Sequence, residues 1–346
     1  MKFKKYPLAA LASVLLLSGC AAWKLDKSLT PDPAQVQRVA REVAKSREFQ
    51  QAVFEVSTFA VDRCALKVRR EPFALMTVGN LVGFYDEKKI AAYWHAAGFD
   101  ETWRVLWAAD GSGLRPGQRV MAINGNAIEN NKSWQGEAPL APYFTYTSRA
   151  RDAAGEGRPY EITLEDGRTL TVAAQPACRT LVWSMPVVED DASFEVSPGV
   201  HGATVLPPNA LHEARSADEL RYLAALAVYY TASESGAARA RGGRMLMGLG
   251  ALGAFGAIAT APLVGIVANP LIAATVNSGA GALTRGSEGA QAAAFASKVV
   301  ADMGGDASAG LALAERIEAR AIKAPGVALS AQDRQWVRAA LGLAAR

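Results

Sequence analysis

The sequence predicts an α+β protein with two domains, and three observations favour this fold class. The chain has 346 residues, half of them apolar, which is enough for at least one full core, and its length suggests two domains. Apolar residues at three- and four-residue spacing predict a helix from Ala34 to about Leu66. Alternating runs on both sides of Asp166-Gly167 predict a β-hairpin, because both turn residues tolerate positive φ. The apolar content excludes a disordered chain.

The beginning of the chain has the pattern of a secretion signal. Three lysines stand among the first five residues, an apolar stretch follows, and Leu17-Ser18-Gly19-Cys20 comes next. This order resembles the signal peptide and lipobox of a bacterial lipoprotein, which implies cleavage after residue 19 and lipidation of Cys20. Ala21 after the cysteine favours the outer membrane by the known sorting pattern, and residues 20–33 are expected to form a tether. An ordinary secretory signal, or a membrane anchor with a chance cysteine, is the alternative.

The net charge argues against a nucleic-acid partner. The formal charge is +4, and three of the positive charges belong to the lysines of the predicted signal peptide. A mature chain close to neutral lacks the basic surface that nucleic-acid binding requires.

Cys64 and Cys178 are the cysteines that remain after Cys20. In an oxidising compartment such as the periplasm, we expect them to form a disulfide. That bond would close a long loop, which is worth on the order of 4 kcal/mol in the loop-entropy model. Two buried thiols are the alternative.

A strand-and-turn segment runs from Gly113 to Gly125 in the middle of the chain. Gly117 permits a tight turn into a strand, and Val120 and Ile123 are expected to face the core. The segment resembles the PDZ domains of bacterial envelope proteases. The resemblance covers about residues 72–178, and the PDZ-like domain is expected at residues 72–180. Residues 34–71 are then a helical lead-in to this domain.

A PDZ fold implies binding of a peptide terminus or loop as an added strand. The candidate for the loop that grips the terminus is Val82-Gly83-Phe84, within a stretch from Leu81 that is expected to be β-like. The expected partners are periplasmic or outer-membrane proteins or peptides. A PDZ-shaped spacer that binds nothing is the alternative.

Four segments of the C-terminal half stand in a distinctive order: Ser197-Pro198-Gly199, then Asp218-Glu219 before an apolar helical run, then Arg285-Gly286-Ser287-Glu288, then Gly304-Gly305-Asp306. At these spacings they resemble HtpX-like zinc metallopeptidases (the M-48 peptidase family) over residues 186–322. The resemblance implies a mostly helical zincin-like domain, with zinc as the cofactor of active members. Those members carry an HExxH helix, in which two histidines bind zinc and the glutamate activates its water.

The zinc chemistry is missing from this chain. The resemblance places the first histidine, the glutamate and the second histidine of HExxH at Leu226, Ala227 and Tyr230. It places the third ligand at Ala290 and a supporting aspartate at Ala292. Aliphatic side chains cannot bind a metal, so we expect no cofactor and no catalytic residue, and an apolar core stripe instead. A retained small-ligand pocket and a relocated catalytic site are the alternatives.

Residues 245–284 carry no charge. Their glycines and prolines, and the hydrophobic hairpin found at this place in the family, favour an apolar hairpin that packs on the domain or rests on the membrane. A true membrane span is the alternative. Residues 323–346 are expected to form a helical tail.

Together these features predict a small PDZ-like, β-rich domain followed by a metallopeptidase-like helical domain. The predicted function is that of an outer-membrane, lipid-anchored pseudo-metalloprotease that binds envelope proteins. One alternative is an active zinc endopeptidase of envelope quality control, as the family implies. Another is a structural lipoprotein whose apolar segment contacts the membrane.

Overall fold

The computed structural model describes residues 24–81, 86–128, 159–180, 182–184, 197–198, 204–206, 208–234, 236 and 285–323. Helices and strands occur in both halves of the chain, which confirms the α+β class. The chain forms two compact units. Unit 1 comprises Met1–Arg41 and Phe73–Val172, and unit 2 comprises Glu42–Pro72 and Ala173–Arg346.

The elements are numbered in chain order. The described helices are α1 (Pro33–Phe59), α2 (Glu87–Ala97), α3 (Pro208–Glu213), α4 (Ala217–Ala232), α5 (Arg285–Asp302) and α6 (Ala309–Lys323), with 3₁₀ turns at Val61–Arg63 and Val78–Leu81. The described strands are β1 (Lys67–Arg70), β2 (Phe73–Met76), β3 (Arg104–Ala108), β4 (Val120–Ile123), β5 (Asn126–Ala127), β6 (Tyr160–Leu164), β7 (Thr169–Val172), β8 (Gln175–Cys178), β9 (Val182–Ser184), β10 (Ser197–Pro198) and β11 (Thr204–Leu206).

Unit 1 contains two antiparallel sheets. One pairs β2 with β3, and the other has the strand order β5-β4-β6-β7. The amide of Val105 on β3 donates to the carbonyl of Gln118 at 2.8 Å, which joins β3 to the residues before β4. Val120 and Ile123 are buried, so the prediction that they face the core is confirmed.

The predicted hairpin is the connection between β6 and β7. Tyr160 lies opposite Val172 in this antiparallel pair. The turn contains Gly167 with φ +82°, a conformation that glycine adopts without strain. The Asp166 carboxylate accepts from the amide of Arg168 at 3.1 Å, which closes the turn.

The segment after β2 differs from the prediction. Leu81 ends a 3₁₀ turn and does not lie in a strand. The hydroxyl of Thr77 accepts from the amide of Gly79 at 3.1 Å, a local turn that competes with strand extension. The sequence analysis also missed α2, although its caps are present in the sequence: Asp86 accepts from a first-turn amide, and Gly98 ends the helix at φ +70°.

Part of the predicted tether, residues 20–33, is docked against unit 1. The ammonium of Lys27 lies 3.2 Å from the carboxylate of Asp100. The imidazole of His95 donates from Nε2 to the carbonyl of Leu29 at 3.0 Å. The chain before α1 is therefore fixed at these points and does not behave as a free linker there.

Unit 2 combines two small sheets with a helical core. β1 pairs with β8, and the other sheet has the order β10-β11-β9, in which β9 and β11 are parallel. α4 packs against α5, and α6 packs against both. Leu223, Leu226, Val299 and Leu313 are fully buried among these helices, in one hydrophobic cluster with the C-terminal half of α1.

Cys64 and Cys178 lie together in unit 2. Cys64 follows the 3₁₀ turn Val61–Arg63, Cys178 ends β8, and their sulfur atoms are at disulfide distance with the Cα atoms 5.7 Å apart. Cys178 is opposite Lys67 of β1, so the bond lies where the two strands begin to pair.

Candidate functional site

The helix on which the family resemblance places the zinc ligands is α4. The hydroxyl of Ser216 accepts from the amide of Glu219 at 3.2 Å and caps the N-terminus. Mostly apolar residues then follow without a polar face, and almost the whole of α4 is buried. The helix ends at Ser233, whose backbone is extended and whose amide donates to the carbonyl of Tyr229 at 3.1 Å.

The predicted apolar face is part of the protein core. Leu226 and Ala227 have no exposed surface, and Tyr230 is 4 % exposed. On α5, Ala292 is also fully buried, and Ala290 lies two residues nearer the helix start, outside the described side chains. The prediction of a packed core stripe along α4 is confirmed for the described positions. The aliphatic side chains among them do not fit a zinc ion, because methyl and isobutyl groups offer no lone pair.

Two tyrosines add polar groups near this face. Burial, and to a lesser degree the neighbouring Tyr230, raises the pKa of the Tyr222 hydroxyl above its ordinary value. On the adjacent face of α4, the hydroxyl of Tyr229 donates to Gln291 Oε1 on α5 at 2.9 Å. The ring of Tyr229 contacts that of Phe295 with centroids 5.6 Å apart. The hydroxyl and the ring of Tyr229 therefore join α4 to α5.

The acidic start of α4 has a structural role that the sequence analysis missed. The Glu219 carboxylate is buried and accepts from the amide of Arg215 at 2.6 Å and from the guanidinium of Arg316 on α6. Arg316 also donates to the carbonyl of Glu213 at 3.1 Å. Arg316 lies 97 residues from Glu219, so no local pattern could have indicated this ion pair.

The neighbouring Asp218 holds the loop before α6. Its carboxylate accepts from the amide of Asp306 at 2.9 Å and from the guanidinium of Arg221 at 3.1 Å. Arg221 in turn donates to Glu55 of α1 at 3.1 Å. Burial alone would lower the pKa of Arg221, but hydrogen bonds and charge from Glu55 and Asp218 raise it. Both acids of the motif are therefore engaged in packing contacts.

Among the residues that the structure describes, no three His, Cys, Asp or Glu side chains lie together in a way that could hold a metal ion. His95 is bound to the tether, and His212 lies in α3 before α4. The helices in the described part of the chain are too short or too polar to cross a bilayer.

Several predicted sites fall outside the described residues. They are the lipidation site Cys20, the candidate peptide-binding loop Val82-Gly83-Phe84, the apolar segment 245–284 and most of the tail 323–346. The structure brings Cys64 and Cys178 together as predicted.

A cavity of about 310 Å³ lies beside the end of α4. It is lined by Asp62, Arg63, Cys64, Ala65, Val228, Tyr229, Ser233, Glu234 and Phe295. All of these residues belong to unit 2. No local sequence pattern indicates this cavity, because its walls come from three distant parts of the chain.

No protein-family model, no curated protein and no solved structure significantly matches the chain.

Proposed function

We propose that this chain is an outer-membrane lipoprotein facing the periplasm, in which a metallopeptidase-like domain without zinc chemistry supports the binding of envelope proteins. The observation that carries the proposal is the burial of Leu226, Ala227 and Tyr230 on α4, together with Ala292 on α5. In the family that the sequence resembles, these positions carry the metal ligands and the groups that assist them.

A working zinc site would need an exposed face at this place. Catalytic zinc uses three protein ligands and keeps a fourth position open for water. Here aliphatic side chains occupy two of the positions, and the tyrosine hydroxyl, with an ordinary pKa of about 10, is a poor ligand at neutral pH. Because the face is packed inside unit 2, neither water nor a peptide carbonyl has room there.

Unit 1 is the proposed binding module. Among the described strands, β2 pairs with β3 alone, and its other edge is the proposed place for an added strand. The candidate terminus-gripping loop, Val82-Gly83-Phe84, follows β2 and the 3₁₀ turn in the chain. The proposed partners are periplasmic or outer-membrane polypeptides, and lipid on Cys20 would hold the protein at the membrane.

The first test separates a pseudo-metalloprotease from an active peptidase. The Cys20→Ala protein is purified, dialysed and analysed for zinc, and its cleavage of casein is measured with and without a chelator. We expect no stoichiometric zinc and no chelator-sensitive cleavage. One zinc per chain, or cleavage that the chelator abolishes, would overturn the proposal. A variant with Leu226→His, Ala227→Glu, Tyr230→His and Ala290→Glu provides the positive control for zinc uptake if circular dichroism shows that it folds.

The second test addresses the binding module. The same protein is titrated with fluorescent peptides that carry either a free or an amidated C-terminus. We expect the free carboxylate to bind more tightly, and Gly83→Asp to abolish this binding by adding a negative charge to the candidate loop. Ser112→Asp adds an equal charge to the turn after β3 and should leave binding unchanged. Equal binding of both peptide forms, or no binding at all, would count against the module.

A further inference from the structure

We propose that the cavity beside the end of α4 binds the side chain of an arginine or lysine from a partner polypeptide. The cavity lies entirely in unit 2, so this site does not depend on the proposed peptide groove of unit 1. Three properties carry the inference: the size of the cavity, the charge of its lining and the aromatic rings in its walls.

The size of the cavity selects a group as large as one side chain. Ligand pockets usually range from about 300 to 1,000 Å³. At about 310 Å³ this cavity is at the lower limit, so it can hold a single long side chain but not a folded segment or a large cofactor.

The charge of the lining favours a cation. Asp62 and Glu234 contribute two exposed carboxylates. Arg63 carries the positive charge of the lining, and the carboxylate of Asp302 lies 2.7 Å from its guanidinium. The ammonium of Lys67 lies 3.6 Å from Asp62, but this pair is highly exposed and therefore weak. An entering cation would thus find carboxylates at the cavity, whereas an anion would find a guanidinium that is already paired.

The aromatic rings favour a cation with an apolar stem. Tyr229 and Phe295 contact each other and form a continuous wall, and the bond from Tyr229 to Gln291 fixes one ring. Val228 is the aliphatic residue of α4 in the lining. A guanidinium or ammonium near such rings is attracted to their faces, and its methylene groups cover the apolar part.

The test uses amino-acid derivatives, so that its outcome is independent of peptide binding by unit 1. The Cys20→Ala protein is titrated with N-acetyl-arginine amide and N-acetyl-lysine amide, followed by calorimetry and by NMR. N-acetyl-citrulline amide is the neutral counterpart of the arginine derivative. We expect a Kd on the order of 1 mM for the arginine derivative, as its size implies, and binding at least about tenfold weaker for citrulline.

Variants locate the site. Asp62→Asn with Glu234→Gln should weaken binding about tenfold, because both carboxylates are lost while the cavity keeps its shape. Asp110→Asn with Glu161→Gln makes the same charge change at exposed positions of unit 1 and should have no effect. Absence of arginine binding, equal binding of citrulline, or an unchanged Kd in the Asp62 and Glu234 variant would overturn the proposal.

A further variant tests whether the chain fills its own cavity. Arg239, Arg241 and Arg244 follow Gly236 closely in the sequence. If one of these side chains were the occupant, replacing all three by glutamine would tighten binding of the arginine derivative severalfold. That result would overturn the assignment to a partner, whereas an unchanged Kd would support it.

Discussion

Replacement of Asp100 by asparagine tests the charged centre of unit 1. The Asp100 side chain is 5 % exposed and accepts hydrogen bonds from Arg104 at 3.1 and 3.2 Å and from the hydroxyl of Thr102 at 2.5 Å. Lys27 lies 3.2 Å away and stacks over the ring of Trp94 at 4.0 Å. The carboxylate therefore joins the tether to the start of β3.

The expected loss of unfolding free energy follows from the kinds of contact that the substitution weakens. Hydrogen bonds to a charged group contribute about 1.5–3 kcal/mol, and breaking one side of a buried ion pair costs about 3–5 kcal/mol. Asparagine keeps the shape and one acceptor oxygen, and the contact to the half-exposed Lys27 is worth little. We therefore expect Asp100→Asn to lower the free energy of unfolding by about 2–3 kcal/mol at neutral pH.

The pH dependence gives a second readout. Burial alone would raise the pKa of Asp100, but hydrogen bonds from Arg104 and Thr102 and the charge of Arg104 lower it well below its usual value of 3.8. A carboxylate whose pKa is lowered by folding contributes its full stabilisation above the unfolded-state pKa and loses it as the pH falls toward the folded-state pKa. The penalty of the substitution should thus be full above about pH 5 and shrink as the pH falls below about 4.

The assay is urea unfolding of the Cys20→Ala protein and its Asp100→Asn variant at several pH values, with tryptophan fluorescence as the signal. Asp110→Asn, a change of the same kind at an exposed position, is the control. A loss below about 0.5 kcal/mol at pH 7, within the range of ordinary surface substitutions, would refute this account of the charged centre. A difference in unfolding free energy between the two proteins that does not decrease as the pH falls below about 4 would also refute it.

Three other substitutions address unit 2. Cys64→Ser should lower the unfolding free energy by about 4 kcal/mol, because the disulfide closes a separation of 114 residues, and the difference should vanish when a reductant is present in both samples. Glu219→Gln should cost about 1–3 kcal/mol in urea unfolding through the weakened contact to Arg316, and an unchanged midpoint would contradict that. Gly310→Ala should cost about 1–3 kcal/mol, because the added methyl group would overlap the ring of Tyr222, and a higher melting temperature would show that the helices adjust without strain.

Local patterns were the part of the fold that sequence could predict. The hairpin at Asp166-Gly167 depends on two adjacent residues, and the apolar run of α4 depends on one helical period. In each case the chemistry that determines the element lies within a few positions.

Contacts between distant residues were beyond such prediction. Glu219 was identified as part of an acidic motif, but its partner Arg316 is far away in the chain and belongs to another helix. The cavity also depends on distant residues, because its walls meet only after α4, α5 and the turn before Cys64 have packed. The lack of ligands at Leu226 could be inferred from residue type, whereas the burial of this position depends on the whole core.

The docking of Lys27 on Asp100 limits how far unit 1 could move from a lipid anchor. Leu25, which is buried, is the fifth residue after Cys20, and an extended chain of five steps spans about 17 Å. Under the proposed lipidation, this short segment would keep unit 1 close to the lipid headgroups. It would then encounter polypeptides emerging at the membrane surface sooner than those deep in the periplasmic space.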